Sequence, residues 1–349
     1  MVRCYENPVV RPNMVLPTTT GLEVLGAFNA GAAICNNQII LLLRVSERCI
    51  AEPGVIGVPI YRFHDEKSTL EILRFNSNDP DVRLKDTRGV VYKNVDYLST
   101  LSTIRVARSD DGISFTVEDH PLIFPSRPCE KYGCEDARIQ KFGDEFYITY
   151  TAVSGDGWST ELCVTKDFKS VERKGTIFCP LNKDVCLFPE KINGRYWALH
   201  RPHNIGFGKP SIWVASSPDL LDWGGHECLI RPRDNKWENM KIGGGGAPIK
   251  TDKGWLVIYH GKGDGSVYHL FTLLLDLEDP RKVIARGKKP FFSPETEYET
   301  KGFFPNVVFS NGHVEMPEGE IFLYYGACDE TTNLLITSVE ELLEYVALV

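Results

Sequence analysis

The sequence predicts an all-β protein, a five-bladed β-propeller with a short C-terminal helix. Short runs rich in β-branched and aromatic residues dominate the chain, for example residues 146–151 and 255–260, with Asn-Gly and Asp-Gly pairs between many runs. A strand–turn–strand phrase also recurs five times along the 349 residues. Because each propeller blade is one such supersecondary unit, we expect five blades in a single domain that spans residues 1–349.

The five copies each contain a strand, a turn and a second strand, and each leads into further strands. They cover residues 28–44, 137–151, 188–201, 246–260 and 306–327. Most lie about 50 to 65 residues apart, a little over the usual blade length. Within them, Asn193-Gly194 and Asn311-Gly312 are expected to form tight hairpin turns, which need residues that tolerate positive φ. Near the end of the chain, Ser338 to Glu341 predicts a capping box that starts a helix.

Composition limits the classes of function. Hydrophobic residues make up 42% and charged residues 25% of the chain, which is typical of a packed globular protein. The net charge of -8 argues against nucleic acid or an anionic membrane as the main partner. It does not argue against a small anion, because an acidic protein can bind one in a local basic pocket.

The cysteines and the N-terminus indicate the compartment. Ten cysteines occur without any C-x-x-C spacing, so we expect free thiols in a reducing environment. Residues 1–8 lack the apolar stretch of a signal peptide, and the longest apolar run, residues 39–43, is too short to span a bilayer. We therefore expect a soluble, cytoplasmic protein.

Polar residues occur where the strands of a blade core would prefer apolar ones. The innermost strands of a propeller line its central channel, so equivalent positions in different blades converge on one pocket. The residues of this kind are Asn29, Arg44, Arg105, Glu135, Asp136, Arg138, Lys183, Asp184, His200, Arg201, Lys241 and His260. A single one means little, but the set predicts a polar site on the propeller axis.

The acidic part of this set is Glu135 and Asp136, which directly precede a repeat strand, with Arg138 close behind. Adjacent side chains on a strand point to opposite faces, so only one of the two carboxylates is expected to face the channel. The alternative interpretation is a solvated loop in which a carboxylate pairs locally with Arg138.

The basic part comes from two successive repeats. Lys183 precedes one repeat strand and Arg201 follows it; Lys241 precedes the next strand, ahead of the glycines at 243–246, and His260 ends that hairpin. Arg offers a planar two-pronged donor and Lys a point charge, which suits a dianion. Taken singly, each cation could be a solvated surface charge, and each histidine a core residue with satisfied hydrogen bonds.

The sequence indicates no metal site and no organic cofactor. It has no His-x-His or His-Glu-x-x-His pattern, and its eight histidines are scattered. Phosphate-loop, dinucleotide-binding and Gly-x-Ser-x-Gly motifs are absent as well. We therefore expect chemistry that the protein's own side chains carry.

Over nearly its full length the chain resembles glycoside hydrolase family 130, the β-mannoside phosphorylases and related β-mannosidases. The resemblance rests on residues 28–30 with Arg44, residues 135–139, residues 183–184 with 187–194 and 199–202, residues 243–248, and residues 259–261. The family implies a five-bladed propeller and inversion at the anomeric carbon. It places the catalytic acid on Asp136 and the phosphate-binding positions on Lys183, Arg201, Lys241 and His260. The implied sugar contacts are Asn29, Arg44, Arg105, Arg138, Asp184 and His200.

The resemblance also implies the reaction. Hydrolytic relatives have acidic residues where phosphorylases keep cations, and these positions are basic here, which favours cleavage by phosphate. Phosphate then replaces water as the nucleophile, and a basic pocket replaces the second carboxylate of an inverting hydrolase. The expected co-substrate is inorganic phosphate, no cofactor is needed, and the product is α-mannose 1-phosphate. Residues 183–184 and 200–203 look closest to the branch that acts on β-1,2-linked mannose oligomers.

Two other functions stay open at this point. One is a β-mannosidase that uses water on the same scaffold, and the other is a non-catalytic sugar-binding propeller. Phosphate-dependent release of mannose 1-phosphate separates all three. The expected partners are a β-mannoside oligosaccharide and phosphate, and any assembly is expected to be a homodimer.

Overall fold

The computed structural model describes residues 1–65, 67–203 and 206–346. Within these residues it contains 26 strands and two short α-helices, α1 (Glu297–Thr300) and α2 (Val339–Glu344). The all-β fold that the sequence predicted is therefore confirmed. All ten cysteines are free thiols, again as predicted.

The first part of the chain forms an antiparallel unit with an insertion. After β1 (Val2–Arg3), which pairs elsewhere, its strands are β2 (Leu22–Cys35), β3 (Gln38–Cys49), β4 (Val55–His64), β5 (Lys67–Asn76), β6 (Val82–Leu84), β7 (Gly89–Tyr92), β8 (Val95–Leu98), β9 (Thr100–Ser109) and β10 (Thr116–Val117). The unit has the strand order β2-β3-β9-β10. The insertion between β3 and β9 forms two small sheets, β4-β5 and β6-β7-β8.

Three more antiparallel units follow in chain order. Their strands are β11 (Gly133–Phe142), β12 (Glu145–Ser154), β13 (Gly157–Thr165), β14 (Glu172–Phe178), β15 (Asn182–Leu187), β16 (Tyr196–Pro202), β17 (Ile212–Ser217), β18 (Gly224–Ile230), β19 (Lys241–Gly244), β20 (Ile249–Thr251), β21 (Gly254–Lys262), β22 (Tyr268–Leu275) and β23 (Val283–Arg286). The pairing is β11-β12-β13-β14, then β15-β16-β17-β18, then β19-β21-β22-β23 with β20 also on β21. A parallel bridge between Gly133 and Ser102 joins the first two units into one larger sheet.

The last unit combines both ends of the chain. It contains β24 (Val308–Glu315), β25 (Glu320–Ala327) and β26 (Thr331–Ser338). The N-terminal β1 is its fourth strand, because Val2 pairs with Ile336 and Arg3 with Leu335. Directly after β26, Ser338 caps α2 by accepting a hydrogen bond from the backbone N–H of Glu341 over 3.2 Å, so the predicted C-terminal helix is confirmed.

One predicted hairpin turn is correct and the other is wrong. Asn193 and Gly194 both have positive φ, 51° and 76°, between the bridge partners Ile192 and Arg195. Asn311-Gly312 instead lies inside β24. A Cβ atom on Gly312 would lie 2.3 Å from the backbone nitrogen of Ala32, so this glycine allows two strands to approach closely. The local Asn-Gly signal could not distinguish a turn from such a close contact.

The hydrophobic core lies between successive sheets. On β3, Leu41 and Leu43 pack in a cluster with residues of β24–β26, whereas Ile40 and Leu42 pack in a cluster with residues of β11–β13. This alternation explains the continuous apolar run at 39–43, since β3 is buried on both faces. Further clusters lie between the later units. Burying each such side chain contributes about 1.5–3 kcal/mol.

Candidate active site

The first strand of several units has a β-bulge at the same place. The register of β2 with β3 shifts between Phe28 and Gly31, that of β11 with β12 between Glu135 and Arg138, and that of β15 with β16 between Lys183 and Cys186. Within these bulges Asn29, Asp136 and Asp184 have φ values of 49°, 53° and 56°. Bulges re-aim side chains, and positive φ is rare outside glycine. Three units thus direct one polar side chain each to the same place.

These side chains border a cavity of about 500 Å³. Eight residues that the sequence singled out line it: Asn29, Arg44, Asp136, Lys183, Asp184, Arg201, Lys241 and His260. Asp136 of the acidic part and the whole basic part therefore share one cavity, although they come from separate sheets. Further lining residues include Asp86, Arg88, Lys262, Tyr268, Phe309 and Asp329.

One side of the cavity holds Asp136. Its carboxylate oxygen Oδ1 accepts hydrogen bonds from Asn29 Nδ2 over 3.0 Å and from Arg44 Nη1 over 3.3 Å. Arg44 also donates to Glu135 over 2.8 Å and to Ser102 over 3.0 Å. Burial disfavours the charge of Arg44, but the carboxylates of Glu135 and Asp136 outweigh it and raise the pKa of this guanidinium. Arg44 is therefore a permanent cation beside Asp136.

Glu135 faces a different space from Asp136. It borders a smaller neighbouring cavity of about 220 Å³, which shares Arg88, Lys183, Arg201 and Lys241 with the main one. Glu135 accepts hydrogen bonds from Arg44 and, over 3.0 Å, from Arg88. Burial opposes its charge, yet these two guanidinium groups lower its pKa to about 2. As predicted, only one of the two carboxylates faces the main cavity, but the bulge lets both contact Arg44.

Another part of the cavity lining, the basic side, consists of Lys183, Arg201, Lys241 and His260. Burial and the neighbouring charges of Arg201 and Lys183 lower the pKa of Lys241 well below its usual value. Arg201 Nη1 and His260 Nδ1 are buried and have no hydrogen-bond partner within the described part of the chain. Unpaired buried polar atoms and mutually repelling cations are costly, and an anion between them would relieve both costs.

Asp184 is the carboxylate that partly neutralises this basic side. Its oxygens contact Arg138 Nη2 at 3.1 Å, Arg201 Nε at 2.5 Å and His260 Nε2 at 3.6 Å. Its side chain is 0% exposed. Burial opposes ionisation, but Arg201, Arg138 and His260 prevail, so the pKa of Asp184 lies far below its ordinary range.

Three of the predicted sugar contacts do not line the cavity. Arg105 donates to the carbonyl oxygen of Asp119 and to Thr18 instead, at 2.8 and 3.0 Å. Arg138 is buried outside the cavity lining and donates to the backbone oxygens of Asp136, Gly244 and Gly245 as well as to Asp184.

His200 points away from the cavity, because it alternates with Arg201 on β16. Its ring contacts Asn182 and His226 and stacks on Phe178. Burial, with a small contribution from His226, lowers its pKa to about 3, so it is a neutral core histidine.

Several cavity residues were not found from the sequence. Asp329 follows β25 with a φ of 57°, and burial together with the charges of Asp136 and Glu135 raises its pKa, against the opposing effect of Arg44 and Arg88. Arg88 comes from the insertion between β3 and β9. Tyr268 lies under the ammonium group of Lys241, with the nitrogen 5.1 Å from the ring centre. None of the three occupies a repeat-strand position, so the repeat gave no signal for them.

The described residues contain neither a candidate metal cluster nor a membrane-spanning helix. Among the described residues, no group of three or more His, Cys, Asp or Glu side chains is arranged to hold a metal ion. In the same part of the chain, no helix is long and apolar enough to cross a membrane.

Known proteins resemble this chain in both sequence and fold. A family model for glycoside hydrolase family 130, described as beta-1,4-mannooligosaccharide phosphorylase, matches residues 70–348. The β-1,2-mannobiose phosphorylase of Listeria innocua is 41% identical over 347 residues, 98% of this chain and 97% of that protein. The 1,2-β-oligomannan phosphorylase of Thermoanaerobacter sp. is 41% identical over 249 residues, 70% of this chain and 82% of that protein.

A solved structure agrees with these matches. The β-1,2-mannobiose phosphorylase from Listeria innocua, in complex with β-1,2-mannobiose, superposes with a TM-score of 0.94 at 40% identity. The superposition covers 99% of this chain and 98% of that one. The chain belongs to glycoside hydrolase family 130.

Proposed function

We propose that this protein is an inverting phosphorylase that cleaves a β-1,2-mannosidic bond with inorganic phosphate. The products are α-mannose 1-phosphate and the shortened sugar, and the reaction also runs in the synthetic direction. The observation that carries the proposal is the single cavity that Asp136 lines together with Lys183, Arg201 and Lys241. The 41% identical relatives named for β-1,2-mannobiose and 1,2-β-oligomannan support the linkage.

In this mechanism Asp136 is the general acid. Its proton goes to the glycosidic oxygen, directly or through a sugar hydroxyl, as the bond from that oxygen to the anomeric carbon breaks. A phosphate oxygen forms the new bond to that carbon from the opposite face. The proton that phosphate loses returns to Asp136, so the enzyme is regenerated. Asn29 and Arg44 hold the Asp136 carboxylate and stabilise its charge after the proton has left.

The basic side supplies the nucleophile's site. Phosphate would occupy the space beside Lys183, Arg201, Lys241 and His260, where its charge is compensated and its approach to the sugar is aligned. On this side Asp184 is bound to cations through both oxygens, so it does not offer a free base for water. That arrangement favours phosphorolysis over hydrolysis.

The architecture proposed for this function is one domain of five blades. Five antiparallel units follow one another in sequence, and the first packs on the last through the cluster that contains Leu41, Leu43 and Tyr324. Pairing of β1 with β26 adds a strand from one end of the chain to the last unit. The homodimer and the cytoplasmic location expected from the sequence stay predictions.

The test is the dependence of cleavage on phosphate. Purified protein is incubated with β-1,2-mannobiose, with β-1,2-mannotriose and with β-1,4-mannobiose, each with and without phosphate. Products are followed by ³¹P and ¹H NMR. We expect α-mannose 1-phosphate from the β-1,2 substrates only when phosphate is present, and unchanged rates with EDTA. Free mannose released equally fast without phosphate would identify a hydrolase, and no cleavage of any substrate would leave the sugar-binding alternative.

A further inference from the structure

The surroundings of Asp184 differ from those of a sugar-binding carboxylate. Such a group needs oxygen lone pairs free for hydroxyl donors, and a carboxylate has about four. One Asp184 oxygen accepts from Arg138 Nη2 at 3.1 Å, and the other accepts from Arg201 Nε at 2.5 Å and lies 3.6 Å from His260 Nε2. Its side chain is 0% exposed, and both of its oxygens are engaged by these three side chains at the margin of the cavity.

Three of the glycines at 243–246 contact this buried cluster. A Cβ atom on Gly243 would lie 2.3 Å from Asp184 Oδ2 and 2.5 Å from the His260 ring. The carbonyl oxygens of Gly244 and Gly245 accept hydrogen bonds from Arg138 at 3.0 and 2.8 Å. Gly243 therefore leaves room for the Asp184–His260 contact, and the backbone of Gly244 and Gly245 holds Arg138 in place.

The hydrogen bonds to Asp184 determine which N–H groups of Arg138 and Arg201 remain free for other partners. Because Arg201 uses Nε on Asp184, its outer nitrogens are directed elsewhere, and Nη1 is buried without a partner in the described residues. Arg138 bonds both Asp184 and the backbone oxygen of Asp136. A continuous chain of contacts therefore connects β11, the strand of Asp136, with Arg201 and His260.

We propose that Asp184 is a positioning residue of the phosphate site: its carboxylate orients Arg201 and His260 towards the anion, and Arg138 anchors it to the strand that carries Asp136. This inference rests on the proposed phosphorylase function. Asp184 then has this role instead of the sugar contact that the family resemblance implied. Likewise, Arg138 connects the acid to the anion site instead of contacting sugar.

The experiment compares Asp184→Asn with wild type in phosphorolysis of β-1,2-mannobiose. Removing the negative charge of Asp184 would by itself strengthen phosphate binding. A weaker affinity for phosphate would therefore show that Arg201 and His260 have lost their orientation. Misdirecting one charge-assisted contact should raise the KM for phosphate about 10- to 150-fold. The KM for mannobiose should stay within about 3-fold, the size of a modest indirect effect. An unchanged or lower KM for phosphate would overturn the proposal, as would a rise confined to mannobiose.

A matched control separates this effect from the loss of any buried ion pair. Glu130 also has a side chain that is 0% exposed and pairs with an arginine, Arg173, outside the cavity. Glu130→Gln should lower the thermal midpoint but leave both KM values unchanged. Asp184→Glu keeps the charge and displaces it by one methylene. If Asp184→Asn does not fold, Asp184→Glu should still raise the KM for phosphate selectively, and selective loss of mannobiose affinity there would reject the proposal.

A wild-type crystal structure with β-1,2-mannobiose and sulfate gives a readout that needs no variant. Arg201 should contact the sulfate through its outer nitrogens, with no sugar hydroxyl within 3.5 Å of Asp184, about the limit of a hydrogen bond. A hydroxyl bound to Asp184 would overturn the inference while leaving the phosphorylase function intact. Wild-type cleavage without phosphate would overturn the function itself.

Discussion

Asn29 donates a hydrogen bond to the carboxylate of Asp136 over 3.0 Å, although 107 residues separate them in sequence. Both residues lie in β-bulges with positive φ, on the first strands of two neighbouring units. The contact holds the Asp136 carboxylate at the cavity wall through Oδ1, and no hydrogen bond to its other oxygen occurs among the described residues. It therefore connects the repeat architecture directly to the proposed acid.

Replacing Asn29 tests this contact. Glycine is the suitable residue, because the position has a φ of 49° and other side chains would add backbone strain. Loss of one hydrogen bond to a charged group, about 1.5–3 kcal/mol, should lower kcat roughly 10- to 150-fold in Asn29→Gly. Steady-state kinetics with saturating phosphate measure this. A kcat equal to wild type would show that Arg44 alone suffices to hold Asp136.

Asp136→Asn should lose at least about 10²-fold in kcat, the usual scale of general acid catalysis, while the protein stays folded. The amide can still accept the bond from Asn29 but cannot protonate the glycosidic oxygen. Circular dichroism checks the fold, and Asp156→Asn on an exposed turn is the control that should keep full activity. Near-normal turnover in Asp136→Asn would mean that another carboxyl group is the acid.

Lys241→Ala should mainly raise the KM for phosphate, about 10- to 150-fold for one lost charge-assisted contact. Lys241 has no carboxylate partner among the ion pairs of the described residues, and burial with the charges of Arg201 and Lys183 lowers its pKa, so a bound anion would favour its charged form. The initial rate is measured against phosphate concentration at fixed mannobiose. Lys253→Ala, which changes an exposed lysine, should behave as wild type. If the KM for mannobiose rises in Lys241→Ala and that for phosphate does not, the basic side binds sugar.

Glu135 should make stability depend on pH in acid. Its pKa falls from 4.5 to about 2 on folding, so between these values the unfolded chain binds more protons than the folded one. Its contribution to the free energy of unfolding is complete above about pH 4.5 and is lost as the pH falls towards 2. Urea unfolding at pH 3, 4, 5 and 7 measures this. Glu135→Gln should be less stable at pH 7 and show a shallower decline in acid; equal slopes would contradict the shift.

The sequence by itself determined the all-β class and the strand positions. Apolar and β-branched runs predict strands because they suit a half-buried or fully buried pleated surface, as the two-sided burial of residues 39–43 shows. The repeat also predicted a set of polar residues that meet at one site, and eight of them line the same cavity. Local turn chemistry was sufficient at Asn193-Gly194, where both φ values are positive. These features depend on short stretches of chain or on their period.

Only the tertiary structure decided what each polar side chain contacts. Simple alternation correctly sends His200 and Arg201 to opposite faces, but it could not say which face is the cavity. The bulge at Asp136 breaks that alternation, so Glu135 and Asp136 both contact Arg44, more than 90 residues away in sequence. Asp184 is occupied by Arg138, Arg201 and His260 from three different strands. Such contacts depend on bulge geometry and on how sheets pack together, and neither has a period or a local signature in the sequence.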